Sequence, residues 1–195
     1  MLDPLAARSK KKVFKKKPYN YNVAKYKIRY NASAGSDASG IIDAVFSTSD
    51  PEGAVDNAGV YSDWTSLEGL WDNYKVTGLK LQYIPYKAAD DSTITTFRSL
   101  YIIQDDDDTS TVTSITEAIQ YEKFIVKDLT RPFTLFFKVA KPTVTDNPQG
   151  WMNLGNAGSS SNRIGAVKFY ADSLTASHSY GNVVLTMYVT CMGRR

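Results

Sequence analysis

The sequence predicts an all-β domain, an antiparallel sandwich of about eight strands with two short helices in its connections, behind a basic N-terminal arm. Three observations carry this. Apolar runs of strand length recur along the chain with period-two alternation, and clusters of Gly, Ser, Asn, Asp and Pro separate them. The 195 residues, 43% hydrophobic and 12% aromatic with 13 Tyr, suffice for one core of that kind. All the Lys-rich clusters fall at one end.

Residues 1–18 show no apolar periodicity, carry Arg8, Lys10, Lys11, Lys12, Lys15, Lys16 and Lys17, and close on Pro18, so they read as an arm, with the folded domain over 19–195. Over 22–32, Ala24, Tyr26, Ile28 and Tyr30 share one strand face and Lys25, Lys27 and Arg29 the other. The apolar run 41–46 follows a Gly/Ser/Asp-rich bend, either as a continuation of that strand or as a separate one. A loop over 50–63 leads to Thr65-Ser66-Leu67-Glu68, whose hydroxyl-x-x-Glu spacing predicts a capped helix with Leu67, Leu70 and Trp71 on one face.

The segment 74–86 reads as a strand whose alternation shifts near Gly78, as a bulge would make it, and which Pro85 ends. The segment 97–104 is apolar on both faces, as in a covered central strand. Ser114-Ile115-Thr116-Glu117 repeats the capping pattern and predicts a helix over about 115–121. Further strands are expected over 123–129, 132–140, 163–171 and 182–192, with a short one over 151–154. In the last, Val183, Leu185, Met187, Val189 and Cys191 form one face, which makes Cys191 a core residue. This count and order suit an eight-stranded jelly roll better than an immunoglobulin-like sandwich, whose Cys-Trp-Cys marker is absent.

Charge is divided along the chain. Ten bases against one acid make residues 1–30 carry +9, whereas the remaining 13 bases and 19 acids leave the body at −6. A basic arm on an acidic body calls for a polyanion, and Arg8, Lys10, Lys11, Lys12, Lys15, Lys16, Lys17, Lys25, Lys27 and Arg29 are the candidate nucleic-acid-binding residues. The same Lys clusters also suit recognition by nuclear import receptors. Phe14, Tyr19, Tyr21, Tyr26 and Tyr30 interleave with the charges; such rings either stack on unpaired bases or, as the alternation favours for Tyr26 and Tyr30, belong to the core.

Several function classes find little support. His178 is the single histidine and Cys191 the single cysteine, so a multi-imidazole metal site and a disulfide framework are excluded, and no nucleophile elbow or phosphate-binding glycine loop is present. The expectation is a chain that is not an enzyme and needs no cofactor. No apolar run approaches the roughly 20 residues of a membrane span, and none follows the N-terminal charges as in a secretory signal. Asp105, Asp106, Asp107 and Asp108 form the densest acidic run; it is read either as a solvated loop or as oxygen ligands for calcium at a subunit interface. Trp64, Trp71 and Trp151 are core or contact residues or, alternatively, a sugar platform; Trp151 is assigned to subunit contacts and Trp71 to the core.

Taken in order, the basic arm, the two-part first strand, Trp64-Thr65-Ser66-Leu67-Glu68-Gly69-Leu70-Trp71-Asp72-Asn73-Tyr74-Lys75-Val76 and Gly78-Leu79-Lys80-Leu81-Gln82-Tyr83-Ile84-Pro85-Tyr86 resemble the single-jelly-roll capsid proteins of small circular single-stranded DNA viruses (CRESS-DNA, circovirus-like), which are related to tombusvirus-like coats. That family places a helix before a Tyr-x-Val opening of its second strand, lettered C, and a Pro at the strand's end; Tyr74, Val76 and Pro85 match. The arm here is shorter and Lys-rich where many relatives are Arg-rich. The resemblance implies a coat protein that self-assembles into an icosahedral T=1 shell of about 60 copies. It also implies packaging of a genome, DNA more than RNA, location in the virion, and assembly in the host nucleus or cytoplasm. The alternatives are the coat of a small RNA or satellite virus and a lectin-like or ligand-type sandwich module.

Overall fold

A computed structural model describes residues 22–48, 64–86, 99–139, 151–153 and 165–194. The arm, the expected loop over 50–63 and the boundary at residue 18 lie outside them. The strands are β1 (Val23–Gly35), β2 (Ile42–Ser47), β3 (Trp71–Pro85), β4 (Ser99–Asp105), β5 (Phe124–Asp128), β6 (Phe133–Phe137), β7 (Met152–Asn153), β8 (Ala166–Ala171) and β9 (Ser179–Arg194). Helix α1 (Trp64–Glu68) precedes β3 and α2 (Ile115–Ala118) lies between β4 and β5.

Sheet one has the order β1-β9-β3-β6, with β7 added to β3, and sheet two the order β2-β8-β4-β5. Every pairing is antiparallel. Apart from the two-residue β7, these are the eight strands and the interleaved order of a jelly roll, in which successive strands mostly alternate between the two sheets. The apolar run after the first bend is therefore a separate strand in the opposite sheet. Asp37 makes that bend: its Oδ1 accepts from the amides of Ser39 at 2.8 Å and Ile41 at 2.9 Å. As a consequence the strand from Tyr74 to Pro85 is third in the chain, not second, and it shares a sheet with β1.

The core lies between the sheets. The expected inner face of β9 is buried throughout: Val183, Leu185, Met187, Val189 and Cys191 meet Ile28, Leu79, Leu81 and Tyr83 of sheet one and Ile42, Phe46, Leu100, Ile102 and Phe169 of sheet two. Tyr26 and Tyr30 are half-buried against this core, which settles them as core residues. The bulge expected near Gly78 is present, between Val76 and Gly78, and lets β3 keep Val76 and Leu79 both buried. Tyr83, buried at mid-sandwich, places its hydroxyl 2.8 Å from the Leu129 carbonyl and 3.0 Å from that of Tyr180. It ties the β5–β6 turn to the start of β9.

The helices depart from expectation by a residue or more. Ser114 caps α2 as its spacing predicts, its Oγ accepting from the Glu117 amide at 3.1 Å, but the Glu117 carboxylate accepts from Thr113 N and Oγ1, one residue earlier than in a capping box. In α1, Thr65 is inside the helix, so Glu68 has no cap to complete and accepts instead from Trp64 Nε1 at 3.1 Å. The expected stripe is broken as well. Leu70 is exposed, and Trp71 opens β3, where it is buried and donates from Nε1 to Tyr26 Oη at 3.1 Å. Among the described residues no helix is long and apolar enough to cross a membrane.

Candidate nucleic-acid interface

The outer face of sheet one is built from positions that alternate with the core. On β1 these include Lys25, Lys27 and Arg29, all exposed. Register extends the set across the sheet: Lys25 is opposite Thr190, which is opposite Lys75, while Arg29 is opposite Thr186, Thr186 opposite Lys80, and Lys80 opposite Phe136. The sequence pattern did not single out Lys75 and Lys80. Its signal was there, since the shift at Gly78 moves Lys80 to the face that Lys75 occupies before the bulge. Among the described positions of this face no acidic residue occurs.

Acids gather on the other side. Asp43, Asp105, Asp106, Asp107, Asp108, Glu117, Glu122 and Asp128 lie on sheet two or on the segment between β4 and β5 that folds over it. That segment makes a second small core, in which Val112 and Ala118 cover Ile103 and Tyr170. Beneath it Lys168 is fully buried, its ammonium 2.7 Å from Asp105 Oδ2, 2.9 Å from Asp108 Oδ2 and 3.2 Å from Tyr121 Oη, and 5.0 Å above the Tyr121 ring. Burial alone would lower the Lys168 pKa, but the two carboxylates and the phenol outweigh it and hold the pKa above the ordinary lysine value. Lys168 in turn holds Asp108 down at about 2. Asp105 is likewise lowered, because the Lys168 ammonium overcomes the opposing effect of burial.

Lys168 sits where a cation between Asp105 and Asp108 would sit, and Asp106 pairs with Lys123. Within this chain the run forms ion pairs, and among the described residues no group of three or more acidic, His or Cys side chains is arranged to hold a metal. Lys168 was legible only as one base inside the apolar strand Ala166–Ala171.

Of the remaining candidates, Arg8, Lys10, Lys11, Lys12, Lys15, Lys16 and Lys17 lie outside the described residues. Trp64 is buried edge-on to Tyr74 at 4.8 Å and Trp71 is buried as well, so neither serves a sugar platform. Trp151 is half-buried just before β7, which pairs with Asn73 and Tyr74 of β3. His178 stands edge-on to Tyr180 at 5.1 Å, in a turn where its carbonyl accepts from the Ser36 amide at 2.8 Å. Cys191 is fully buried in the main core.

No family model matches the chain, and no curated protein matches its sequence. Solved structures do match in fold. The semi-empty VLP of giant freshwater prawn Macrobrachium rosenbergii nodavirus superposes with a TM-score of 0.62 at 10% identity, over 100% of this chain and 94% of that one. Cocksfoot mottle virus gives 0.59 at 12% identity, over 90% and 97% of the two chains. Melon necrotic spot virus gives 0.60 at 15% identity, over 90% of this chain and 53% of that one. At these identities the likeness is one of fold: the chain is a jelly roll of the kind found in these virus particles.

Proposed function

We propose that the chain is a viral coat protein whose copies close into an icosahedral shell, about 60 in the T=1 case, with the arm and the outer face of sheet one turned towards a packaged genome. The observation that carries this reading is the division of charge across a jelly roll. Lys25, Lys27, Arg29 and Lys80 cover one sheet without an acid among them, continuous in sequence with the arm, while the opposite side is acidic. A closed shell has an inside and an outside, and a nucleic acid on the inside calls for that polarity; a sugar-binding or receptor-binding sandwich does not. The work of such a protein is assembly, not catalysis.

The genome in this reading is single-stranded DNA, by the family resemblance taken over the chain as a whole, since Tyr74, Val76 and Pro85 stand on the third strand and not the second; counterion release from phosphates serves DNA and RNA alike. The test is expression of the full chain, negative-stain microscopy, and nuclease typing of the contents. Round particles holding nuclease-sensitive nucleic acid are expected. Monomers at every salt and protein concentration would overturn the shell, and contents destroyed by ribonuclease alone would keep the shell and replace DNA with RNA.

A further inference from the structure

We propose that the outer face of sheet one carries a stacking site for unpaired nucleobases, formed by the rings of Phe136 and Tyr188 and rimmed by Lys27, Arg29 and Lys80. Phe136 is 63% exposed, although it stands on a strand of the sheet. Gly78 explains its position: a Cβ there would lie 2.6 Å from Phe136 Cζ and 3.3 Å from both Cε atoms, so the ring rests across the glycine backbone. One side of the ring covers the sheet and the other meets solvent. Tyr188, the register partner of Gly78, stands beside it with ring centroids 5.8 Å apart and planes at 58°.

The surroundings are cationic. Lys27 holds its Nζ 5.7 Å from the Tyr188 ring centroid, and one rung along the ladder Arg29 and Lys80 flank Thr186, with Phe136 opposite Lys80. None of these three bases makes an ion pair with a described residue. An exposed ring beside a half-buried one, among cations that make no ion pair with a described residue, suits a partner that offers both phosphates and open π faces, which is a single strand; a duplex keeps its bases stacked inside and would engage the cations alone. The same charge disfavours the other occupants. The arm is itself cationic, and two copies meeting through this face would oppose like charges. The inference deepens the coat-protein reading by assigning base contacts to the face already turned towards the genome.

The test uses the full chain, freed of nucleic acid in high salt and titrated by fluorescence anisotropy with oligothymidine of about ten nucleotides and with an abasic oligomer of the same length. The two carry equal phosphate charge, so their affinity ratio isolates the bases. A wild-type ratio of about tenfold or more is expected, in line with roughly 1–3 kcal/mol per stacked base, a factor of about 5–150. Phe136→Leu, which still covers Gly78, should bring the ratio close to one and leave the abasic affinity unchanged; Phe136→Trp should restore it. Equal wild-type affinities would overturn the site, as would a parallel loss on both oligomers in Phe136→Leu. So would a change in sedimentation of the nucleic-acid-free protein with oligomer affinity untouched, which would assign the face to contact between copies. Microscopy of the same preparations separates the two readings: a base-dependent ratio without particles keeps the site and removes the shell, and particles without such a ratio do the reverse.

Discussion

A buried ammonium persists only where its charge is met, and at Lys168 two carboxylates and a phenol meet it. Lys168→Met would leave Asp105 buried without its counter-charge, and a loss of about 3–5 kcal/mol is expected in urea unfolding, most of it recovered when Asp105→Leu is added. The pH dependence has a definite sign. Asp108, held at about 2, and Asp105, also lowered, contribute stability that is complete above the unfolded carboxyl value and lost as pH falls from about 4 towards 2. Lys168 is raised, so its contribution is complete below its unfolded value of about 10 and is lost only on the far alkaline side. Urea midpoints measured between pH 7 and pH 2.5 should therefore fall more steeply for the wild type than for the double variant. Cys191 gives a second check: burial pushes its thiol up to about 11, and it should resist a thiol reagent at pH 8 until the protein is unfolded. Alternation along β9 made Cys191 readable from the sequence, whereas the partners of Lys168 arrive from 60 and 63 residues away and no local pattern announces them.

Strands with strict alternation were legible and segments whose role depends on a neighbour were not. β9 and β1 follow their period-two patterns because each has one face on the core and one on solvent. The two short helices shifted because a five-residue or four-residue helix is set by what it packs on; in α1 the burial of Trp64 against Tyr74 outweighs the cap that Thr65 offers. β5 carries a run of unmet apolar surface. It is the edge of sheet two, and Phe124, Ile125 and Val126 are exposed at 39%, 38% and 44%. Three consecutive exposed apolar residues on an edge strand are a contact in waiting, and in a shell they fit the junction with the next subunit. Val126→Lys should change unfolding stability by less than about 0.5 kcal/mol and abolish particles in the microscope. If particles persist, the junction is elsewhere.

At the scale of the molecule, charge division is the property that sequence and structure share, because net charge along a chain survives any uncertainty about how its strands pair. The first thirty residues carry +9 over a body of −6, and among the described residues the outer face of sheet one holds bases while sheet two has the acidic cover. In a shell of about 60 copies residues 1–30 bring on the order of 540 positive charges to the interior, about 360 of them from the arm and the rest from β1, enough to neutralise several hundred nucleotides, with Lys80 adding to the count from the sheet itself. Deleting residues 1–17 removes Arg8, Lys10, Lys11, Lys12, Lys15, Lys16 and Lys17 and leaves the sandwich and its edges intact. The truncated chain should therefore still assemble while its particles lose most of their nucleic acid, read as a fall in the ratio of absorbance at 260 nm to that at 280 nm. The face on sheet one should retain a weaker, less salt-sensitive affinity for short single strands, since fewer phosphates are neutralised. Truncated particles as full as the wild type would move the packaging role from the arm to that face.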